Sequence, residues 1–295
     1  MKIGFIGLGV MGNAMSSNIV KKHSDEVYVF DVKKDKVCQL EELGALGCES
    51  ARETAQKADC IFSIVPRAAQ VEQICEEILP VLGRGKIWVE MSTIDPADSM
   101  AVAKKVMETG AQFADCPVVK SKPAAIAGKL GIYVGASKET YQAILPVLEY
   151  MGEHILHMGD VGKGIVMKVC HNSLVHEIQN AVNETMTLAG LYGIGVQAFA
   201  DAVSIGGGQN FYLESKVEAI KREDWACAFP VEYAAKDLAI GGRLGDAAGL
   251  PMPGLQAALD TMMHAIDMGL GKQDNSASIL AVRDRIGVAV KAPKL

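Results

Sequence analysis

Lys168 and Asn172 are the residues whose types and spacing point most directly to chemistry. Four apart in a helical stretch, they share one face, and Val175 and Gln179 continue the stripe. An amine there can give and take a proton, and an amide beside it can orient the amine and bond an oxygen. The lysine sits in an apolar run that continues to about Leu191, where burial without a partner is costly. The bland alternative is a lysine snorkelling to solvent at a helix start, beside an asparagine bonded to neighbouring backbone. Gly162 and Gly164 argue against it, because they let the backbone come close to something just before the helix. His171, three residues from Lys168, can reach the same place, either to select substrate or to pack against the preceding domain.

These residues stand where an alternating strand–helix pattern gives way to helix alone. Lys2 to Ile6 is a short apolar strand running into Gly7-Leu8-Gly9-Val10-Met11-Gly12. A helix is expected over Asn13 to Lys22, then a strand over Val27 to Phe30 that ends at Asp31. This strand, glycine turn, helix, strand and acid make a dinucleotide-binding pattern. Gly7 makes the tight turn, Gly9 leaves room for a pyrophosphate, and Gly12 lets helix and strand pack closely. The helix start offers N–H groups and partial positive charge to the phosphates. Asp31, about 20 residues on, suits two ribose hydroxyls and repels a 2′-phosphate, which favours NAD over NADP. Lys33 and Lys34 temper that preference, since a lysine can bind a phosphate.

The strand over Cys60 to Val65 stops at Pro66, which cannot donate to a sheet. Loops at such strand ends line the cofactor crevice, so Val65, Pro66 and Gln70 are candidate nicotinamide-side contacts. The strand over Ile87 to Met91 ends in Ser92-Thr93, placed for the nicotinamide ribose or a substrate carboxylate, or as a cap for the helix after Pro96. Cys116 to Ser121 is a loop in which Lys120 faces either the crevice or plain solvent, and Ala124 to Gly128 continue it. A last strand covers Ile155 to Met158, and helices follow at roughly 164–191, 197–206, 210–222, 231–248, 253–268 and 274–286. The fold class is α/β: a Rossmann-type doubly wound sheet over 1–162, a connecting helix over 163–192 and an all-α domain over 193–295.

Bulk properties narrow the partners. The 295 residues are 49% hydrophobic and 22% charged, a globular composition. A net charge of -6 with dispersed basic residues, and only 5% aromatics, argue against nucleic acid. Seven scattered cysteines without a C-x-x-C pair suit a reducing, cytoplasmic setting. No signal peptide, membrane-length span or metal-ligand spacing is visible, His154 and His157 included. A helical half rich in Ala, Gly and Met implies a homodimer or homotetramer that covers its apolar surface.

Four motifs together resemble the β-hydroxyacid dehydrogenase family, which includes 3-hydroxyisobutyrate dehydrogenase, tartronate semialdehyde reductase and sulfolactaldehyde reductase. They are Gly4 to Gly12; Asp115-Cys116-Pro117-Val118 with Gly128; Gly162-Lys163-Gly164 with Lys168 and Asn172; and Lys236-Asp237-Leu238. The resemblance covers the whole chain. It implies reversible hydride transfer between NAD and a small 3-hydroxy acid, a hydroxymethyl-type carboxylate or sulfonate, with Lys168 as acid/base. It also implies that Lys236 reaches back to the cofactor site and that Val119, Lys120 and Ser121 hold the substrate's anionic end. The family usually has Ser-Gly-Gly at those three positions, so Val119-Lys120-Ser121 departs from it. Sulfolactaldehyde reductase is similar in placing a cation at the position of Lys120. His171 departs too, since the family commonly has asparagine there. Competing readings are a 6-phosphogluconate dehydrogenase type, which needs clustered basic residues, an imine reductase, which usually lacks the lysine, and a dinucleotide-binding sensor without chemistry.

Overall fold

The computed structural model describes residues 1–287 and divides the chain into two compact units, Met1–Lys168 and Val169 onward. The first unit is built on one sheet. Strands β1 (Ile3–Ile6), β2 (Val27–Phe30), β3 (Leu46–Gly47), β4 (Cys60–Ser63), β5 (Ile87–Glu90) and β6 (Gln112–Asp115) run parallel in the order β3-β2-β1-β4-β5-β6. Beyond β6, β8 (Leu130–Gly135) pairs antiparallel with β6 and with β7 (Val118–Val119), and parallel with β9 (Gly152–Gly159). Helices α1 (Val10–Lys22), α2 (Lys34–Glu41), α3 (Ala51–Lys57), α4 (Ala68–Ile78), α5 (Pro96–Glu108), α6 (Lys122–Ile126) and α7 (Lys138–Leu148) complete it.

The two-residue period of a strand explains the two-sided core. Ile3, Phe5, Phe62 and Val89 join one apolar cluster. Their strand neighbours Ile6, Ile61 and Trp88 join the other. Both faces are buried, so these strands run mostly apolar rather than alternating, with Ser63 and Glu90 as the polar exceptions at the carboxyl ends of β4 and β5. Strand order reverses between β1 and β4, and the carboxyl ends of those two strands are where such sheets hold a dinucleotide.

Three local expectations are corrected. Helix α1 starts at Val10 rather than Asn13, because Gly9 itself is the N-cap. The stretch expected as loop before β8 contains α6, whose Pro123 is preset for a first helical turn. Asp95, not Ser92 or Thr93, caps α5, accepting from the Ala97 N–H at 3.0 Å.

Helix α8 (Lys163–Leu191) begins in the first unit and continues into the second. There it is followed by α9 (Val196–Ser204), α10 (Phe211–Arg222), α11 (Val231–Ala247), α12 (Pro253–Asp267) and α13 (Ser278–Arg285). Val231, Leu238, Leu255 and Met262 centre one apolar cluster, and Val182, Met186, Leu213 and Ile220 another. The buried side of α8 is mixed, with a polar strip beside Val182 and Met186, where the sequence alone reads as an apolar run. Gln179 donates to Asn275 O at 2.6 Å and Ser278 Oγ at 2.8 Å, and Asn183 donates to the same hydroxyl at 2.9 Å. These paired polar groups offset the cost of their burial and favour one register for the helix. Among the described residues, no helix is long and apolar enough to cross a membrane.

Candidate active site

The glycine turn after β1 separates packing from binding. Gly7 has φ +92°, and a Cβ there would lie 2.3 Å from Ile64 O. A Cβ on Gly12 would lie 1.9 Å from Gly7 O. Both glycines are therefore required by the protein's own backbone. A Cβ on Gly9 would meet nothing within 4 Å, so its bare backbone faces open space. No side chain caps α1, whose first turn (Val10, Met11, Gly12) carries no acid. Open backbone at a positive helix end fits a pyrophosphate, and these residues fit the dinucleotide implied by the motif.

Asp31 closes the turn from the other side. Its carboxylate accepts from the Leu8 N–H at 2.6 Å and the Lys33 N–H at 2.8 Å. A carboxylate has about four acceptor positions, so capacity remains for ribose hydroxyls. Lys34 is engaged in an exposed pair with Glu49 at 3.0 Å. After β4, Val65 is half-buried and Pro66 exposed. Gln70, exposed in the first turn of α4, accepts from the Arg67 N–H at 3.1 Å and so helps to end the loop.

Ser92 differs from its expected role. It is 2% exposed, and its hydroxyl has two protein partners. It accepts from the Val65 N–H at 2.8 Å and donates to Glu90. Thr93 beside it is half-buried. Glu90, at the end of β5, is fully enclosed, and burial pushes its carboxyl up to about 7 against the opposing hydrogen bonds from Ser92.

The 119–121 loop follows β7. Val119 is half-buried, while Lys120 and Ser121 are exposed. Lys120 has φ +79°, a left-handed conformation that costs energy for any residue with a Cβ and that glycine adopts freely. This accounts for the usual glycine at that position. The Lys120 ammonium pairs with Glu153 of β9 at 2.6 Å, so its charge already has a protein partner. The loop leads into α6, which is tied to α1 where Asn18 donates to Ala125 O at 2.9 Å.

Two glycines and one acid fix the start of α8. Gly162 has φ +93°. A Cβ on Gly164 would lie 2.5 Å from Asp115 O and 2.7 Å from the Gly135 N. The helix start is thus pressed on the backbone of β6 and β8. The Asp115 carboxylate, at the end of β6, accepts from the Gly162 and Ile165 N–H groups, each at 2.6 Å. Burial pushes that carboxyl up to about 6, and the N–H donors oppose the shift. Sequence reasoning placed Asp115 in a substrate motif and missed this capping role. Lys168 follows one turn along the anchored helix and is 9% exposed, which removes the solvent-snorkelling alternative.

In the second unit, Asn172 is 8% exposed and donates to Asp237 Oδ2 at 2.6 Å. A side chain on α11, not neighbouring backbone, is therefore its partner. Lys236, one-third exposed, lies 3.2 Å from the other Asp237 oxygen. His171 is half-buried. Among the described residues, no group of three or more His, Cys, Asp or Glu side chains could hold a metal ion.

Family models match both halves of the chain. Residues 2–159 match the NAD binding domain of 6-phosphogluconate dehydrogenase, and residues 162–282 match the NAD-binding domain of NADP-dependent 3-hydroxyisobutyrate dehydrogenase. The chain is 32% identical to 2-(hydroxymethyl)glutarate dehydrogenase of Eubacterium barkeri, over 98% of this chain and 97% of that one. It is 31% identical to glyoxylate/succinic semialdehyde reductase 1 of Arabidopsis thaliana, over 96% and 99%. Among solved structures, 3-hydroxyisobutyrate dehydrogenase of Mycobacterium tuberculosis with L-serine superposes with a TM-score of 0.89 at 26% identity, covering 96% of this chain and 99% of that one. With its glycine turn, ribose-side acid and helical second half, the chain belongs to the β-hydroxyacid dehydrogenase family and is a nicotinamide-dependent oxidoreductase of hydroxy acids, NAD being the favoured cofactor.

Proposed function

We propose that the chain interconverts a small 3-hydroxy acid, of hydroxymethyl type, and its semialdehyde, with Lys168 as the general acid/base. NAD, when bound, accepts the hydride on oxidation and returns it on reduction. Lys168 takes the hydroxyl proton on oxidation and gives it back to the carbonyl oxygen on reduction. A neutral amine is needed for the first role. Asn172 orients the amine and bonds the reacting oxygen, with Asp237 holding its amide. Lys236 adds positive charge to the cofactor side.

The observation that carries this reading is Lys168 itself: a 9%-exposed lysine on a helix whose first turn is clamped to the sheet by Asp115. Burial at a clamped helix start, together with the motif spacing to Asn172, supports a functional lysine. Relatives named for short hydroxy acids and semialdehydes support a compact anionic substrate. Its anionic end is assigned to Val119, Lys120 and Ser121, with Thr93 and His171 shaping the remainder. Tartronate semialdehyde and sulfolactaldehyde are the two specific substrates to set against each other.

The test is absorbance at the NADH band with a panel of 3-hydroxy acids, semialdehydes and their sulfonate analogues. The wild type turns over at least one carboxylate. The Lys168→Ala variant turns over none, yet binds NADH within about threefold of wild type, because that residue acts on the reacting oxygen. Turnover retained in the variant removes Lys168 from the role.

We further propose a homodimer or homotetramer, resident in the cytoplasm. Leu188, Leu191, Tyr192, Ile205 and Phe211 are all more than half exposed, an apolar set suited to cover by a second copy. All seven cysteines are free, which suits a reducing compartment. Light scattering on the purified protein tests the assembly, and a monomer would reject it.

A further inference from the structure

Glu90 is a buried acid that the chemistry above does not use. Both of its oxygens accept from the Ser92 N–H, at 3.0 and 3.1 Å, and one also accepts from the Ser92 hydroxyl. That hydroxyl has a single proton, and giving it to Glu90 leaves its lone pairs for the Val65 N–H. With Glu90 ionised, the direction of the relay is therefore set: Val65 N–H to Ser92 Oγ, and Ser92 O–H to Glu90. The segment so held is the one against which the glycine turn packs. A Cβ on Gly7 would strike Ile64 O and Val65 Cγ1, and one on Gly12 would strike Ile64 Cγ2 at 2.9 Å. A shift of a few tenths of an ångström at Val65 must therefore be passed to the turn that cradles the pyrophosphate.

We propose that Glu90 is a positioning residue for the dinucleotide: through Ser92 it locks the Val65 backbone, and with it the glycine turn, into the conformation that binds NAD(H). Nothing in this role requires Glu90 or Ser92 to touch the cofactor. It rests on the reading that the carboxyl ends of β1 and β4 hold the dinucleotide, and it explains why an acid is kept in the sheet interior at all. An apolar residue there would avoid the cost of an enclosed carboxylate but would leave the Ser92 N–H and O–H without an acceptor.

The test measures NADH affinity by nicotinamide fluorescence, alongside melting temperature, in Glu90→Leu, Glu90→Gln, Ser92→Ala and the Glu90→Leu/Ser92→Ala double variant. Glu90→Leu leaves the Ser92 N–H and O–H without their acceptor, so it is expected to melt lower than wild type and, measured while still folded, to bind NADH about tenfold more weakly, the size of one hydrogen bond lost from a binding conformation. Glu90→Gln keeps an oxygen for the Ser92 hydroxyl and restores most of the affinity. The double variant is no weaker than the weaker single, since both break one relay. Affinity within twofold of wild type in Glu90→Leu or in Ser92→Ala overturns the proposal, as does a double variant whose losses multiply. Should Glu90→Leu not fold, Ser92→Ala alone decides, because it leaves Glu90 in place. A wild-type protein that failed to bind NADH would instead overturn the cofactor site itself.

Discussion

Asn172 of α8 gives its side-chain N–H to Asp237 of α11, 2.6 Å away and 65 residues later in the chain. An asparagine amide can turn over by half a rotation and exchange its donor and acceptor ends. A carboxylate accepts only, so it fixes the NH2 end on itself and leaves the Asn172 carbonyl oxygen for another partner. That oxygen is then an acceptor, suited to an amine's N–H. The Asp237→Ala variant frees the amide and leaves a buried donor unpaired, at a cost of about 2 kcal/mol in stability. It should lower kcat about tenfold at saturating substrate, the effect of losing one oriented hydrogen bond. Asp237→Asn can still accept through its oxygen and should recover much of the activity. Unchanged kcat in Asp237→Ala would show that the orientation of Asn172 does not matter to turnover.

Gly9 and Gly12 give a prediction that separates binding from folding. Alanine at Gly12 drives a Cβ into the Gly7 carbonyl, a backbone atom that cannot rotate away. Alanine at Gly9 meets open space, with φ -66° and ψ -165° that any residue tolerates. Gly12→Ala should therefore lose both stability and NADH affinity. Gly9→Ala should keep its stability within about 0.5 kcal/mol of wild type. It should still bind NADH at least about tenfold more weakly, because the methyl group stands where the pyrophosphate approaches. Thermal melts and fluorescence titration read both quantities, and wild-type affinity in Gly9→Ala would move the phosphates elsewhere.

Lys120 and Glu153 form an exposed ion pair, each side chain 39% accessible, so the pair contributes little to stability. Its consequence is for charge. Glu153 is held ionised, below the usual carboxylate range, chiefly by the hydrogen bond from Lys120. A substrate anion must share Lys120 with that carboxylate or displace it. Glu153→Gln should therefore lower KM for the anionic substrate, and Lys120→Gly should raise it. The glycine also relieves a left-handed residue, worth about 1 kcal/mol, which offsets the greater freedom it gives the unfolded chain. KM moving in the same direction in both variants would remove Lys120 from substrate recognition.

The parts legible in the sequence are those governed by local spacing. The glycines at 7, 9 and 12, the following strand and Asp31 carry their geometry in adjacent residues, and the helices of the second half announce their ends with Gly206-Gly207-Gly208 and Pro251-Met252-Pro253. The illegible parts depend on contacts made far along the chain. Asp115 holds the Gly162 N–H, 47 residues later, at the start of α8, and no local pattern distinguishes it from a loop acid. Glu90 lies in a strand whose other residues are apolar, where an acid at the strand end looks like a surface residue. The polar strip on α8 is hidden in its sequence because Gln179 and Asn183 find their partner at Ser278, far along the chain. One available signal was passed over: Pro123, which marks the start of α6.

Glu90 and Asp115 are partners in register on β5 and β6, so their carboxyls project from the same face of neighbouring strands. Burial is the main cause of both shifts, and the Asp115 charge raises Glu90 further. The thiols packed near them, Cys60 and Cys116, are also pushed upward by burial and stay neutral, so they take no part. A carboxyl whose folded value is raised binds its proton more tightly in the native state. Its stabilising effect is complete below the unfolded value and is lost as pH rises through the folded one. For Glu90 that window runs from 4.5 to about 7, and for Asp115 from 3.8 to about 6. Stability from this pair should therefore fall between about pH 4 and pH 7. Glu90's share is roughly 3 kcal/mol across its window. Exposed acids such as Glu53, held low by lysine partners, act with the opposite sign. The measurement that isolates the buried pair is thus a difference: unfolding free energy of wild type minus that of Glu90→Gln, at pH 5 and pH 8. The variant should gain on the wild type as pH rises, whatever its offset at pH 5. A difference that stays constant over that range would mean that Glu90 ionises in the folded protein as easily as it does in the unfolded chain, and that its enclosure by β5 and Ser92 is looser than the structure has it.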